Sequence, residues 1–192
     1  MSFKDILGHQ RPITLLQRAI RNKKVVNSYL FLGNEGIGKK AVALQFAKAL
    51  NCLEGEAERG DACDHCASCK KIDSALHPDV SVIEPEGQYI KVDQVRQMQR
   101  QLAYKPYEGK RRVCILTAAD RMAPHIPNTL LKTLEEPPLH TVIILLANNS
   151  KFILPTILSR CQSIRFNPLP INMVSKWLME DKSFNDTEAH LL

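Results

Sequence analysis

The chain has 192 residues, 44% of them hydrophobic and 24% charged, and its 26 Lys+Arg against 20 Asp+Glu leave a formal net charge of +6. This is ordinary globular composition, which excludes a disordered tail or a collagen-like chain and allows one domain with part of a second. No apolar run approaches the roughly 18 residues of a membrane span and Met1 to Asp5 lead into no signal-peptide core, so neither membrane insertion nor secretion is expected.

Pro12 to Ile20 carries apolar residues at helical spacing, with the proline near a first turn. Ser28 to Leu32 is a short apolar run ending at Gly33 and reads as a buried strand. Lys39 to Leu50 is an amphipathic helix. Residues 51–70 break the pattern with Gly, Asp and a cysteine cluster, and look like an insert. Val80 to Ile83 is a strand. Ile90 to Tyr104 carries a helix that Asp93 caps or favours electrostatically near its start. Arg112 to Leu116 is a strand, and Ile126 to Glu136 a helix stopped by Pro137-Pro138. Thr141 to Ala147 is a third central strand, Pro155 to Ser159 a short helix and Cys161 to Phe166 a last strand. Strands alternating with helices predict an α/β layer with a mainly parallel sheet. After Asn167-Pro168-Leu169-Pro170 a new helix runs from Ile171 to Glu180. The sequence stops at Leu192 as another could begin, so a longer natural chain is expected.

Gly33-Asn34-Glu35-Gly36-Ile37-Gly38-Lys39-Lys40 lies between a predicted strand and a predicted helix and fits the phosphate-loop pattern G-x-x-x-x-G-K. Its glycines let backbone N–H groups turn around phosphate oxygens, and Lys39 reaches toward the outer phosphates. Lys40 stands where a Ser or Thr hydroxyl normally holds Mg²⁺. The second half of an ATPase site is an acidic pair after another core strand, but Thr117 and Ala118 follow Leu116, and Asp120 is too far along to substitute. The expectation is a P-loop fold that hydrolyses ATP poorly.

Cys63, Cys66 and Cys69 are spaced C-x2-C-x2-C, with Cys52 eleven residues upstream. Four thiolates favour a closed tetrahedral Zn²⁺ site. A ferredoxin-type run would continue C-x3-C-P, whereas Lys70-Lys71-Ile72-Asp73 follow here; a redox dithiol is the other alternative. His65 lies inside the cluster as an exposed bystander or a substitute ligand, and Cys114 reads as core. Arg160, at the end of a short helix, reads as a surface or ion-paired charge. Asn148-Asn149 after a core strand presents an amide to a phosphate or forms a turn. Arg96, Arg100, Lys105, Lys110, Arg111 and Arg112 make either a solvated face or a DNA-backbone contact. The +6 balance permits an acidic partner without demanding one.

Together, GNEGIGKK, CDHCASCKK followed by HPD, LLKTLEEPP (Leu130 to Pro138) and ILSRC resemble the delta-prime family of bacterial DNA polymerase III clamp-loader subunits over about residues 3–180 and, more distantly, the gamma/tau family. The resemblance implies an α/β AAA+ P-loop core over residues 1–167 with a parallel sheet flanked by helices. It implies a zinc module inserted at about 51–77, and the start of a helical lid at 168–192, with the collar domain absent. Gly33, Gly36, Gly38, Lys39 and Lys40 then match the nucleotide loop, and Asn149 the sensor of the γ-phosphate. Gly8-His9-Gln10 matches the segment near the adenine, and Cys52, Cys63, Cys66 and Cys69 the Zn²⁺ ligands. Arg160 matches an arginine finger that acts in trans on a neighbour's ATP.

The implied role is that of a cytoplasmic replication subunit, a component of a DNA-directed DNA polymerase (nucleotidyltransferase) holoenzyme. Its implied partners are the gamma/tau and delta subunits, the sliding clamp through the complex, and primer–template DNA. The departures at Lys40, Thr117 and Ala118 fit delta-prime and put ATP binding by this subunit in question. The alternative is a gamma/tau-like subunit that hydrolyses ATP itself; an NTPase or kinase, a DNA-binding zinc module and a redox protein are more remote.

Overall fold

The computed structural model describes residues 2–54, 60–122 and 126–180. Five strands form one sheet: β1 (Ser28–Leu32), β2 (Val80–Ile83), β3 (Arg112–Leu116), β4 (Thr141–Ala147) and β5 (Gln162–Arg165). Every pairing is parallel and the order is β2-β3-β4-β1-β5. The register sets Ser28 opposite Ile143 and Tyr29 opposite Gln162. Every residue of β1 and β4 is buried. That explains why these strands read as continuous apolar runs rather than alternating ones: a parallel sheet is covered on both faces.

Alternate side chains of β1, β3 and β4 feed two cores. Tyr29, Phe31, Val113, Ile115, Ile144 and Leu146 pack with α1 (Gln10–Arg21) and α2 (Lys39–Asn51) through Leu16, Val42 and Phe46. Leu30, Leu32, Cys114, Ile143 and Leu145 pack on the opposite side with α4 (Val92–Leu102), α5 (Ile126–Glu135) and α6 (Pro155–Leu158), through Val95, Met98, Leu130 and Ile157. Each fully buried Leu, Ile or Phe contributes about 1.5–3 kcal/mol relative to its exposed state, so the two layers together hold the sheet between helices.

The strands fall where the periodicity puts them, and the helices differ in two places. A short helix, α3 (Ala67–Asp73), begins inside the stretch 51–70 read as an insert and runs three residues past it. The helix expected from Ile90 starts at Val92, because Ile90 is buried in a bridge to Met122 and its N–H bonds to the Arg121 carbonyl at 3.1 Å. Asp93 is therefore in the first turn rather than at the cap. The Gln94 side chain accepts the Lys91 N–H at 2.9 Å and closes that end. Beyond β5 the chain runs through Asn167 to Pro170 into α7 (Ile171–Glu180). The part of the lid expected over 181–192, and Glu56 and Glu58 of the insert, lie outside the described residues.

Candidate functional site

The phosphate loop leaves the carboxyl end of β1 and enters α2, flanked by the ends of β4 and β5. Gly36 and Gly38 have φ of +75° and +102°, a left-handed conformation that side chains disfavour. At Gly33 a Cβ would stand 2.6 Å from the Phe166 carbonyl oxygen, so only glycine fits under the chain leaving β5. His9 closes the other side. Its Nε2 is 2.6 Å from the Ile37 carbonyl, and its ring meets that of Phe166 edge-on at 5.0 Å.

Lys39 is buried, and its ammonium donates to the carbonyls of Gly33 and Asn34 (the latter at 2.6 Å) and to Asn148 Oδ1 at 3.0 Å. Burial lowers its pKa, against the opposing pull of Asp120 and Glu35. Lys40 instead pairs with Glu84 at 2.6 Å, and Arg121 pairs with Glu35 at 3.0 Å. Thr117 Oγ1 donates to the Ile83 carbonyl at 3.1 Å, and Ala118 has no side-chain oxygen. Asp120 Oδ2 accepts the Asn148 N–H at 3.2 Å. Glu35, Lys39, Lys40, Glu84, Thr117, Ala118, Arg121 and Asn148 line a cavity of about 480 Å³. A second cavity of about 560 Å³ opens on the far side of Gly36-Ile37-Gly38, lined by Ile6, Leu7, His9, Ala41, Leu169 and Val174.

The two asparagines after β4 are placed differently. Asn149 is exposed and accepts the Lys151 N–H at 2.9 Å, whereas Asn148, one residue earlier, touches Lys39. The reason is topological: β4 lies beside β1, so the first residue past its end meets the loop and the next one turns away. Glu35, Glu84 and Arg121, which set the charge of the cavity, carried no sequence signal, because their partners lie 86 and 44 residues apart in the chain.

At the other end of α2 the four cysteines Cys52, Cys63, Cys66 and Cys69 converge, with all their Sγ atoms within 4.8 Å of one another. The Cys63–Cys69 separation is 3.9 Å. Tetrahedral Zn–S bonds of about 2.3 Å require sulfurs about 3.8 Å apart, so the donor set fits such an ion. The Cys66 N–H faces Cys63 Sγ at 3.3 Å and the Cys69 N–H faces Cys66 Sγ at 3.5 Å, contacts that favour thiolates. His65 is exposed and turns to Glu54 and to the Cys63 carbonyl. Lys48, on α2 and fully buried, pairs with Asp64 at 2.5 Å and Asp73 at 2.8 Å, and so ties both sides of the cysteine loop to the helix.

Arg160 stands just past α6, on the face opposite α2, with 32% of its side chain exposed. It donates to Glu135 Oε1 at 2.5 Å and to the Thr156 carbonyl at 2.8 Å. The loop lies at the carboxyl end of β1 and Arg160 just before the amino end of β5, so the sheet separates this guanidinium from the phosphate loop of its own chain. Among the basic residues considered for DNA, Arg96 and Arg100 are exposed on α4 and Lys105 in the following loop. Arg112 is not part of that surface: it turns inward to Asp79 at 2.9 Å and the Lys105 carbonyl at 3.0 Å. Among the described residues, no helix is long and apolar enough to cross a membrane.

A family model described as "DNA polymerase III, delta subunit" matches residues 8–170. Over all 192 residues the chain is 37% identical to DNA polymerase III subunit delta' of Bacillus subtilis (strain 168), covering 56% of that protein. It is 39% identical over 155 residues, 79% of this chain, to DNA polymerase III subunit delta' of Pseudomonas aeruginosa, covering 46% of it. Identity to DNA polymerase III subunit tau/gamma of Haemophilus influenzae is 32% over 92% of this chain and 25% of that protein. A solved structure of a DNA polymerase III gamma-subunit-related protein from Thermotoga maritima aligns with a TM-score of 0.62 at 25% identity, over 88% of this chain and 52% of that one. The chain thus spans about half the length of its delta' relatives.

Proposed function

Since this chain belongs to the DNA polymerase III delta-subunit family and is delta-prime-like within it, we propose that it serves as a clamp-loader subunit in DNA replication that lends Arg160 to the ATP of a neighbouring subunit. The carrying observation is the position of Arg160, exposed and held on the sheet face away from its own phosphate loop. A guanidinium so placed serves another molecule. It keeps its charge at all working pH and offers a planar fork to phosphate oxygens. Beside a γ-phosphoryl group it stabilises the charge that spreads over the oxygens in the transition state.

The chain's own loop is proposed as a degenerate nucleotide site. A gamma/tau-like ATPase would need a metal-holding hydroxyl and an acidic pair, and Lys40, Thr117 and Ala118 provide neither. The four cysteines are proposed to hold one structural Zn²⁺, which would supply a cross-link rather than chemistry. Residues 1–167 form the AAA+ core in this reading, with the zinc module over about 51–77 and the beginning of a helical lid from 168. The gamma/tau and delta subunits, the sliding clamp and primer–template DNA are its proposed partners, and the cytoplasm its place of work.

The test is Arg160→Ala in the reconstituted assembly. We expect an unchanged circular dichroism spectrum and a fall in ATP hydrolysis at the neighbouring site of up to about a thousandfold. Hydrolysis and clamp loading at the parental rate would refute the assignment.

A further inference from the structure

We propose that the loop from Gly33 to Lys40 binds the diphosphate or triphosphate of a nucleotide as the free anion, with the Lys40 ammonium standing in for the divalent cation of a P-loop ATPase. This rests on the reading of the site as one without metal ligands, and adds the ionic form of the ligand that its residues suit.

Lys39 gives the first reason. The residue is 7% exposed, yet every hydrogen bond its ammonium makes is to a neutral oxygen, two carbonyls and the Asn148 amide. A desolvated cation with no carboxylate bonded to it gains most from an anion, because charge-assisted hydrogen bonds are about twice as strong as neutral ones. Its three acceptors are all in or beside the loop, so an arriving phosphate displaces them without disturbing the core.

Lys40 and Arg121 give the second. Both border the same cavity and each is held by one carboxylate, Glu84 and Glu35, in pairs that are about half exposed. Exposed pairs of this kind contribute little and exchange readily. A polyphosphate can take both cations from their carboxylates. A Mg²⁺ ion carried in with it meets the Lys40 ammonium as a like charge, and the Thr117 hydroxyl is already committed to Ile83. Chelation also reduces the ligand's negative charge. In this site the metal therefore weakens binding instead of enabling it.

The third reason is room. Nothing stands within 4 Å of a Cβ built on Gly36, so the loop is open to a ligand there. The apolar cavity of about 560 Å³ across Gly36-Ile37-Gly38 is contiguous with the loop and large enough for a nucleoside.

Calorimetry with ADP on the full chain, in EDTA and then with excess Mg²⁺, tests the inference, and inorganic pyrophosphate as a second probe isolates the phosphate contribution. We expect binding in EDTA that Mg²⁺ weakens by about fivefold and that rising salt weakens further. Glu84→Gln, which frees Lys40, should tighten binding in EDTA. Lys40→Thr should weaken it in EDTA and remove the penalty from Mg²⁺; both positions are exposed, and circular dichroism checks that the variants fold. Absence of binding by either probe under both conditions overturns this inference and leaves the role of Arg160 standing. Tighter binding with Mg²⁺ overturns both this inference and the reading of the loop as one without metal ligands.

Discussion

Asp79 carries more of the architecture than any other single carboxylate described. It is 1% exposed and accepts the N–H groups of Tyr107, Glu108 and Gly109 at 2.7, 2.9 and 2.8 Å, and Arg112 at 2.9 Å. Burial would raise its pKa, but the three N–H groups and the Arg112 charge outweigh burial and hold the carboxyl below its usual range. The unfolded chain therefore binds the proton first on acidification. The stabilisation is complete above the unfolded value of about 3.9 and is lost as pH falls through the lower folded value. Denaturant titrations from neutral pH to pH 2 should show this acid loss, and Asp79→Asn should flatten it. Asp79→Ala should cost about 3 kcal/mol at neutral pH, because it leaves the Arg112 charge and three N–H groups without their acceptor. Cys114 and Cys161 offer a simpler check. Burial pushes both thiols up to about 12. Alkylation of the native protein by iodoacetamide, read by mass spectrometry, should therefore spare both until the chain unfolds. The Cys114 reading followed from its apolar neighbours alone. The role of Asp79 did not, because its partners lie 28 to 33 residues further along.

Between single residues and the fold stands α2, which connects the two special regions of the molecule. Its first turn carries the phosphate loop, and its last turns hold Lys48 against Asp64 and Asp73 and lead into Cys52. Burial disfavours the Lys48 charge, but the two aspartates reverse that and raise its pKa. This contribution to stability is present below the unfolded lysine value and is lost only as pH rises through the folded one. Lys48→Met should destabilise the protein by about 1–2 kcal/mol, measured in urea, since it removes two charge-assisted contacts whose carboxylates are partly exposed to water. The zinc proposed for the adjacent thiolates makes a separate expectation. Metal analysis should find one Zn²⁺ per chain. A chelator should raise hydrogen exchange over residues 60–73 while the sheet amides stay protected, because β1, β3 and β4 owe their burial to contacts elsewhere. The cysteine spacing announced this cluster. Helix α3 beside it went unread, since seven residues give too short a period to recognise.

Over the whole molecule, the sheet is a partition. The phosphate loop and α2 belong to one core, and α6 with Arg160 to the other. In the proposed reading, a chain built this way has a nucleotide loop at one place and an arginine for a neighbour at another. Such a pair suits head-to-tail contact with unlike neighbours better than a self-contained active site. The isolated chain should accordingly release no phosphate from ATP above background in a malachite-green assay. Brisk turnover would mean that a carboxylate elsewhere than at positions 117 and 118, which are Thr and Ala, serves the metal.

Local chemistry sufficed for much of this. Continuous apolar runs announced the buried parallel strands, glycines and a lysine before an amphipathic helix announced the phosphate loop, and cysteine spacing announced a metal-type cluster. Each depends on residues within one turn or one strand of each other, where steric and hydrophobic periodicity act directly. Long-range charge pairing escaped that reading. Lys40 meeting Glu84, Arg121 meeting Glu35, Arg160 meeting Glu135, and Asn148 rather than Asn149 facing Lys39 all follow from which strands lie side by side. Strand order is set by packing of the two cores over the full chain, and no local pattern encodes it.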